Sequence, residues 1–128
     1  MTDFSTLFVG LDHPAVAAED VDVLADWYSD VLGYEKHFRN EKPVWLLRAP
    51  DGTFLEIMPK DETHRPQRTT WTPGWSHVAF RVSSLEKAMQ ALEQKGIRWA
   101  GDIAPAIGGG RVRNFLDPEG NLVQILER

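Results

Sequence analysis

The strongest constraint on this chain is an internal duplication. Leu11-Asp12-His13-Pro14-Ala15-Val16-Ala17 is followed by a helix-like stretch and then by Pro50-Asp51-Gly52-Thr53-Phe54-Leu55-Glu56-Ile57-Met58. The second half runs Trp75-Ser76-His77-Val78-Ala79-Phe80-Arg81, another helix-like stretch, and Pro118-Glu119-Gly120-Asn121-Leu122-Val123-Gln124-Ile125-Leu126. Each copy opens with a histidine in a short apolar strand. Each closes with a coordinating side chain four residues after a turn glycine, Glu56 after Gly52 and Gln124 after Gly120. The separation between copies drifts only from 64 residues at the histidines to 68 at Glu56 and Gln124, one short loop insertion. Apolar positions recur in any duplicated core, but polar positions inside apolar strands have no folding reason to recur. They predict a site shared by two pseudo-symmetric modules.

The local patterns predict the elements of each module. Residues 8–17 read as a strand with Val9, Leu11, His13 and Ala15 on one face; Pro14, which lacks an N–H, marks an edge or a site position. Residues 20–32 read as a helix, with Val21, Leu24, Trp27, Tyr28, Val31 and Leu32 at three- and four-residue steps and Gly33 placed to end it. Strands over Val44–Leu47 and Thr53–Met58 flank Ala49-Pro50-Asp51-Gly52, and Asp-Gly between apolar runs is a strong hairpin signal. In the second half a strand over 77–82 precedes a helix. That helix starts with a capping box from Ser83 to Glu86, buries Leu85, Ala88, Met89 and Leu92, and stops at Gly96. Arg111–Leu116 and Leu122–Leu126 close a second hairpin, while the strands near Glu35–Arg39 and Trp99 carry weaker signals. The expectation is one α+β domain over 1–128 made of two βαβββ modules, 8–58 and 75–127, joined by a linker over 59–74.

Composition narrows the chemistry. At 128 residues the chain is long enough for one real core. It has no cysteine, so disulfides, thiolate metal sites and cysteine nucleophiles are excluded together. A net charge of −5 argues against a nucleic-acid partner. No apolar run reaches membrane-spanning length, and Met1-Thr2-Asp3-Phe4 lacks the layout of a signal peptide, so a cytoplasmic protein with no membrane partner is expected.

Strand alternation sorts the polar residues. Leu55 and Ile57, like Val123 and Ile125, fall on the face that packs under the module's helix. Glu56 and Gln124 therefore lie on the opposite face, the latter flanked by Leu122 and Leu126. A carboxylate among apolar neighbours needs a partner or a metal. His13, His77, Glu56 and Gln124 together suit one divalent ion, and without thiolate the candidates are Ni, Co, Mn, Fe or Zn. His37 and His64 have no counterpart in the other module and read as surface residues. Glu127 is out of phase with Gln124 and stays outside the set. Arg81, Arg111 and Arg113 either meet an anionic substrate or form a solvated face. Trp71 and Trp75 either wall a cavity or cover a core edge. Gly108-Gly109-Gly110 lacks the strand-to-helix setting of a phosphate loop and reads as a flexible hairpin.

At these residues the chain resembles the vicinal oxygen chelate superfamily, which includes glyoxalase I, methylmalonyl-CoA epimerase, extradiol dioxygenases, fosfomycin-resistance enzymes and bleomycin-binding proteins. The resemblance covers about residues 8–127. It rests on Leu11-Asp12-His13 leading into Glu19-Asp20-Val21, on Trp27-Tyr28-Ser29-Asp30-Val31-Leu32-Gly33-Tyr34, on His77-Val78-Ala79-Phe80-Arg81-Val82, and on Phe115-Leu116-Asp117-Pro118-Glu119-Gly120-Asn121. It implies paired modules whose curved sheets form a cleft, with metal ligands at His13, Glu56, His77 and Gln124. Asn114 would line the cavity, with Arg81 and Leu122 beside it. Relatives usually carry Glu where this chain has Gln124; here the carboxylate sits in the first module instead. The implied activity is that of a glyoxalase-like, metal-dependent lyase or isomerase. It would chelate a small vicinally oxygenated substrate and stabilise an enediolate-like intermediate, with Glu56 as ligand and base. The alternatives are a metal-free, bleomycin-resistance-like binding protein and a non-haem Fe(II) extradiol-type dioxygenase using His13, His77 and Glu56. Superfamily members of this length usually pair, so a homodimer is expected.

Overall fold

The computed structural model describes residues 7–128, which leaves the Met1–Phe4 reading outside the described residues. The chain divides after Asp61 into two compact units, each with its own sheet, the first a βαβββ module and the second the same pattern with one extra short strand. In the first, β1 (Ala15–Ala18) leads to α1 (Val21–Leu32), then β2 (Glu35–Arg39), β3 (Trp45–Arg48) and β4 (Phe54–Pro59). The second holds β5 (Val78–Arg81), α2 (Leu85–Gln94), β6 (Arg98–Trp99), β7 (Ala104–Pro105), β8 (Arg111–Leu116) and β9 (Leu122–Glu127). Strand orders are β1-β4-β3-β2 and β5-β9-β8-β6, with β7 added onto β8. In both sheets the first strand lies parallel to the last, and the remaining pairs are antiparallel. The duplication in the sequence is thus a duplication of topology, and the two sheets are open. The short strand β7 carried no signal that the sequence reading caught.

The hairpin turns show how local chemistry sets register. Gly52 N–H donates to the Ala49 carbonyl and Ala49 N–H to the Thr53 carbonyl. Gly120 N–H donates to Asp117 and Asp117 N–H to Asn121 in the same way. Gly52 and Gly120 sit at φ 87° and 86°, in the left-handed region that only glycine enters without strain. Asp117 is buried, and its carboxylate accepts from the Glu119 and Asn121 backbone N–H groups and from Asn121 Nδ2. This satisfied network is the physical content of Asp-Pro-Glu-Gly-Asn.

Beneath the sheets the expected faces pack. Leu55, Ile57, Val123 and Ile125 are buried. Leu24 and Leu47 complete the first core, and Leu85, Leu92 and Phe115 the second. The stripe of α1 is narrower than read, with Val21, Leu24, Ala25 and Tyr28 buried. Asp20 caps α1 by accepting the Val23 N–H at 3.1 Å. Gly33 at φ 75° ends it, with Gly33 and Tyr34 N–H groups bonded back to Ser29 and Tyr28. Among the described residues no helix is long and apolar enough to cross a membrane.

Two boundaries differ from expectation. The first strand begins at Ala15 rather than residue 8. Asp12 and Pro14 carbonyls do accept from Phe54 and Glu56 N–H groups, but Pro14 has no N–H to return, so a regular ladder starts only after it. The cap of α2 is Ser84, which accepts the Lys87 N–H, rather than Ser83. The Leu85 N–H is taken at 2.8 Å by the carboxylate of Glu127, 42 residues away. That tertiary donor–acceptor pair replaces the capping box.

Glu127 also binds Arg111 at 3.0 Å, and Arg111 reaches Glu86 at 2.7 Å. The Leu85 N–H and the Arg111 guanidinium hold the Glu127 carboxyl below its ordinary value of 4.5. A carboxyl depressed on folding stabilises fully above its unfolded value, and that contribution is lost as pH falls through the native one. Thermal melts between about pH 7 and about pH 3 should therefore show Glu127→Gln less stable than the parent near neutrality, with a shallower decline on the acid side. Parallel curves for the two proteins would contradict this role.

Candidate functional site

The register brings the duplicated polar residues into equivalent places. Ala15 pairs with Glu56 across β1–β4, and Ala79 pairs with Gln124 across β5–β9. His13 and His77 each lie two positions before those alanines, just ahead of the first strand of the module. The face of each sheet opposite Glu56 or Gln124 is covered by the module's helix. The polar face is the open one.

In the first module His13 and Glu56 meet directly. His13 Nε2 lies 3.2 Å from Glu56 Oε2, with the side chains 35% and 28% exposed. Both are accessible to a small molecule. His13 Nδ1 is held at 2.8 Å by Asp12 Oδ2, so the ring is fixed by one carboxylate and turns its other nitrogen to a second. Leu46 lies opposite Glu56 on β3, and Phe54 and Met58 flank Glu56 on the same face.

The second module builds the equivalent positions from neutral groups. Gln124 Nε2 donates to Asn114 Oδ1 at 3.0 Å from the directly opposed position on β8. With the amide NH2 spent on Asn114, the amide oxygen is the atom a cation would take. His77 Nδ1 lies 2.9 Å from Ser76 Oγ. Leu122 shares the face of Gln124 and pairs with Leu116. Arg81 lies on that face by register and donates to the Arg128 carbonyl at 2.6 Å. Arg111 is occupied by Glu86 and Glu127. Arg113 donates to the Gly101 carbonyl and stacks 4.2 Å from the Trp99 ring centre. Trp71 and Trp75 cover no core edge: they are 88% and 95% exposed.

Among the described residues no group of three or more His, Asp or Glu side chains is arranged so that it could hold a metal ion. The donors come as one imidazole and one oxygen per module, and an imidazole–carboxylate pair at 3.2 Å is a fitting fragment of a site for a borderline divalent ion. The donor chemistry fits such an ion.

Two features escaped the sequence reading. A β-bulge between Lys36 and Phe38 lets the exposed His37 lean on Phe54, ring centres 5.7 Å apart, two positions from Glu56; bulges re-aim side chains in this way. Asp22 accepts from Trp45 Nε1 at 2.7 Å and Arg39 Nε at 3.0 Å. The Trp45 indole and Arg39 guanidinium hold its carboxyl below the usual range. Tyr34 is removed from acid–base work, since burial and the nearby Asp51 charge push it up to about 12.

The paired βαβββ modules and their duplicated polar register define a class. The family described as the Glyoxalase/Bleomycin resistance protein/Dioxygenase superfamily matches residues 10–125, and the chain belongs to it. Similar proteins include the uncharacterized Bacillus subtilis protein YwkD, 26% identical over 95% of this chain and 99% of YwkD. Biphenyl-2,3-diol 1,2-dioxygenase 3 of Rhodococcus globerulus is 25% identical over 90% of this chain and 61% of that protein. The crystal structure of a glyoxalase family protein from Enterococcus faecalis is 26% identical, with a TM-score of 0.77 over 94% of this chain and 99% of that one.

Proposed function

We propose that the chain is a metal-dependent lyase or isomerase that acts on a small substrate with two neighbouring oxygens. Its metal would be one divalent ion held by His13, Glu56, His77 and Gln124, drawn from one chain or from two copies. The observation that supports this best is the shared register, Ala15 with Glu56 and Ala79 with Gln124, with a histidine two residues ahead of each alanine. When bound, the ion would supply Lewis-acid charge to the substrate oxygens. The chain's own contribution is proton transfer. Glu56 would take the C–H proton from a hydroxyl-bearing carbon as the C–H electron pair moves through the C–C bond onto the neighbouring carbonyl oxygen. The protonated Glu56 would then return the proton to that neighbouring carbon while the first hydroxyl becomes the carbonyl and its proton passes to the second oxygen. Asn114, Arg81 and Leu122 would border the substrate. The choice of Glu56 as the base is supported by Gln124 being an amide and by Glu127 being engaged with Leu85 and Arg111.

A second reading is favoured by a specific feature. Two histidines and one carboxylate are the donor set of non-haem Fe(II) oxygenases, and the Rhodococcus relative is a ring-diol dioxygenase by name. Metal analysis of protein purified without chelators, followed by a screen of thiohemiacetals, acyl-CoAs and catechols with oxygen uptake recorded, separates the readings. Oxygen-independent turnover of a thiohemiacetal or acyl-CoA supports the first, and oxygen consumption with a catechol the second. Tight small-molecule binding without metal or turnover supports a binding protein instead.

We also place the protein in the cytoplasm as a homodimer. Two tryptophans 88% and 95% exposed are costly to leave in water, since each carries about 150–250 Å² of buriable surface. Light scattering at micromolar concentration should give twice the chain mass; a monomer there would rule the dimer out.

A further inference from the structure

We infer that the loop over 68–76 is a positioning device for His77, with Arg68 and Thr70 as its working residues. The inference rests on the reading of His77 as a metal ligand. Nothing apolar holds this loop together: Thr72 and Ser76 are half-buried and every other residue from 68 to 75 is exposed. Its shape comes from polar bonds around one guanidinium. Arg68 donates to the carbonyls of Thr72 at 3.2 Å, Pro73 at 3.3 Å and Trp75 at 2.8 Å. Such charge-assisted, multidentate bonds are the strong kind. Gly74, at φ 110° with no Cβ, lets the chain wrap the Arg68 head. Thr69 and Thr72 close the turn on themselves, backbone N–H to carbonyl and N–H to hydroxyl.

Two further bonds run toward the histidine. Thr70 Oγ1 lies 2.6 Å from Ser76 Oγ, and Ser76 Oγ lies 2.9 Å from His77 Nδ1. This relay occupies Nδ1 and leaves Nε2 as the nitrogen presented for coordination, the usual way a ligand histidine is oriented. In the first module a single neighbouring carboxylate, Asp12, does the same for His13. The second module reaches the same end with neutral hydroxyls, which need a shaped loop to hold them. That is the work of Arg68.

The test uses the full chain. Thr70→Val removes the relay at nearly constant shape, and Thr70→Ser restores a hydroxyl. Co(II) titrated into metal-free protein, followed by its absorption, should bind Thr70→Val about 10- to 100-fold more weakly, the usual loss for an orienting partner. The ring-nitrogen NMR signals of His77 in the metal-free protein should shift, and thermal stability should not. Thr70→Ser should restore both affinity and signals, and Arg68→Ala should reproduce Thr70→Val. Parental Co(II) affinity in Thr70→Val, with affinity lost in His77→Ala, overturns the positioning role. Should His77→Ala itself bind Co(II) normally, the ligand assignment fails instead. The His77 ring-nitrogen signals then decide the relay alone, and unchanged signals in Thr70→Val overturn it.

Discussion

Glu56→Gln should lower turnover by roughly 10²–10⁴, the usual contribution of a positioned general base. The substitution keeps the size of the side chain and an oxygen able to coordinate, so shape and metal are disturbed less than proton transfer. The effect is concentrated on one residue because the modules differ at equivalent positions. Glu56 faces His13 at 3.2 Å, whereas Gln124 is an amide turned by Asn114. With one carboxylate in the proposed donor set, a divalent ion would keep about one net positive charge, which would favour an anionic intermediate but leave a single base. Chemistry needing two opposed bases is therefore disfavoured, and one-base chemistry survives. Gln124→Glu supplies the missing carboxylate and should retain metal while gaining isomerase activity on glyoxalase-type substrates. Full activity of Glu56→Gln on the substrate found in the screen would end the mechanism.

His13→Ala and His77→Ala should each lower metal affinity by orders of magnitude, because each removes the only imidazole its module contributes to the proposed set. The loss has a readout independent of turnover. A ligand that binds only the folded state stabilises it by about 2.7 kcal/mol at a hundred times its Kd. Metal added at a fixed concentration should raise the melting temperature of the parent and leave both variants near their metal-free values. Elemental analysis after reconstitution should find one metal per chain. Well under one, together with a metal-independent melting temperature for the parent, would remove the metal and leave the binding-protein reading.

Much of the fold was legible because it is written locally. The helix over Val21–Leu32 is bracketed by Asp20 and Gly33, whose capping roles need only their own turn. β8 falls where its apolar residues and the flanking turn place it, at Arg111–Leu116, and even the weakly signalled β2 lies at Glu35–Arg39. Where expectation slipped, a distant partner had intervened. The capping box over Ser83 to Glu86 gave way to a cap at Ser84, with the Glu86 carboxylate held by Arg111 and the Leu85 N–H by Glu127. His37 is exposed, as read, but its lean on Phe54 was not legible, because the bulge that turns it exists only once β2 has paired with β3.

The same division holds at the site. The sequence alone determined that His13 and Glu56 recur as His77 and Gln124, and that each oxygen donor faces away from its helix. Strand alternation and a glycine turn four residues upstream are properties of a few consecutive residues, and they survive in any context that keeps the strands. Only the tertiary structure decided which neighbours hold those donors. Asn114 comes from the strand opposite Gln124, and the Thr70–Ser76 relay depends on a loop folded around Arg68. Hydrogen bonds between side chains act over about 3 Å, so their partners are set by where the chain brings residues together in space, a fact that no periodicity along the sequence encodes.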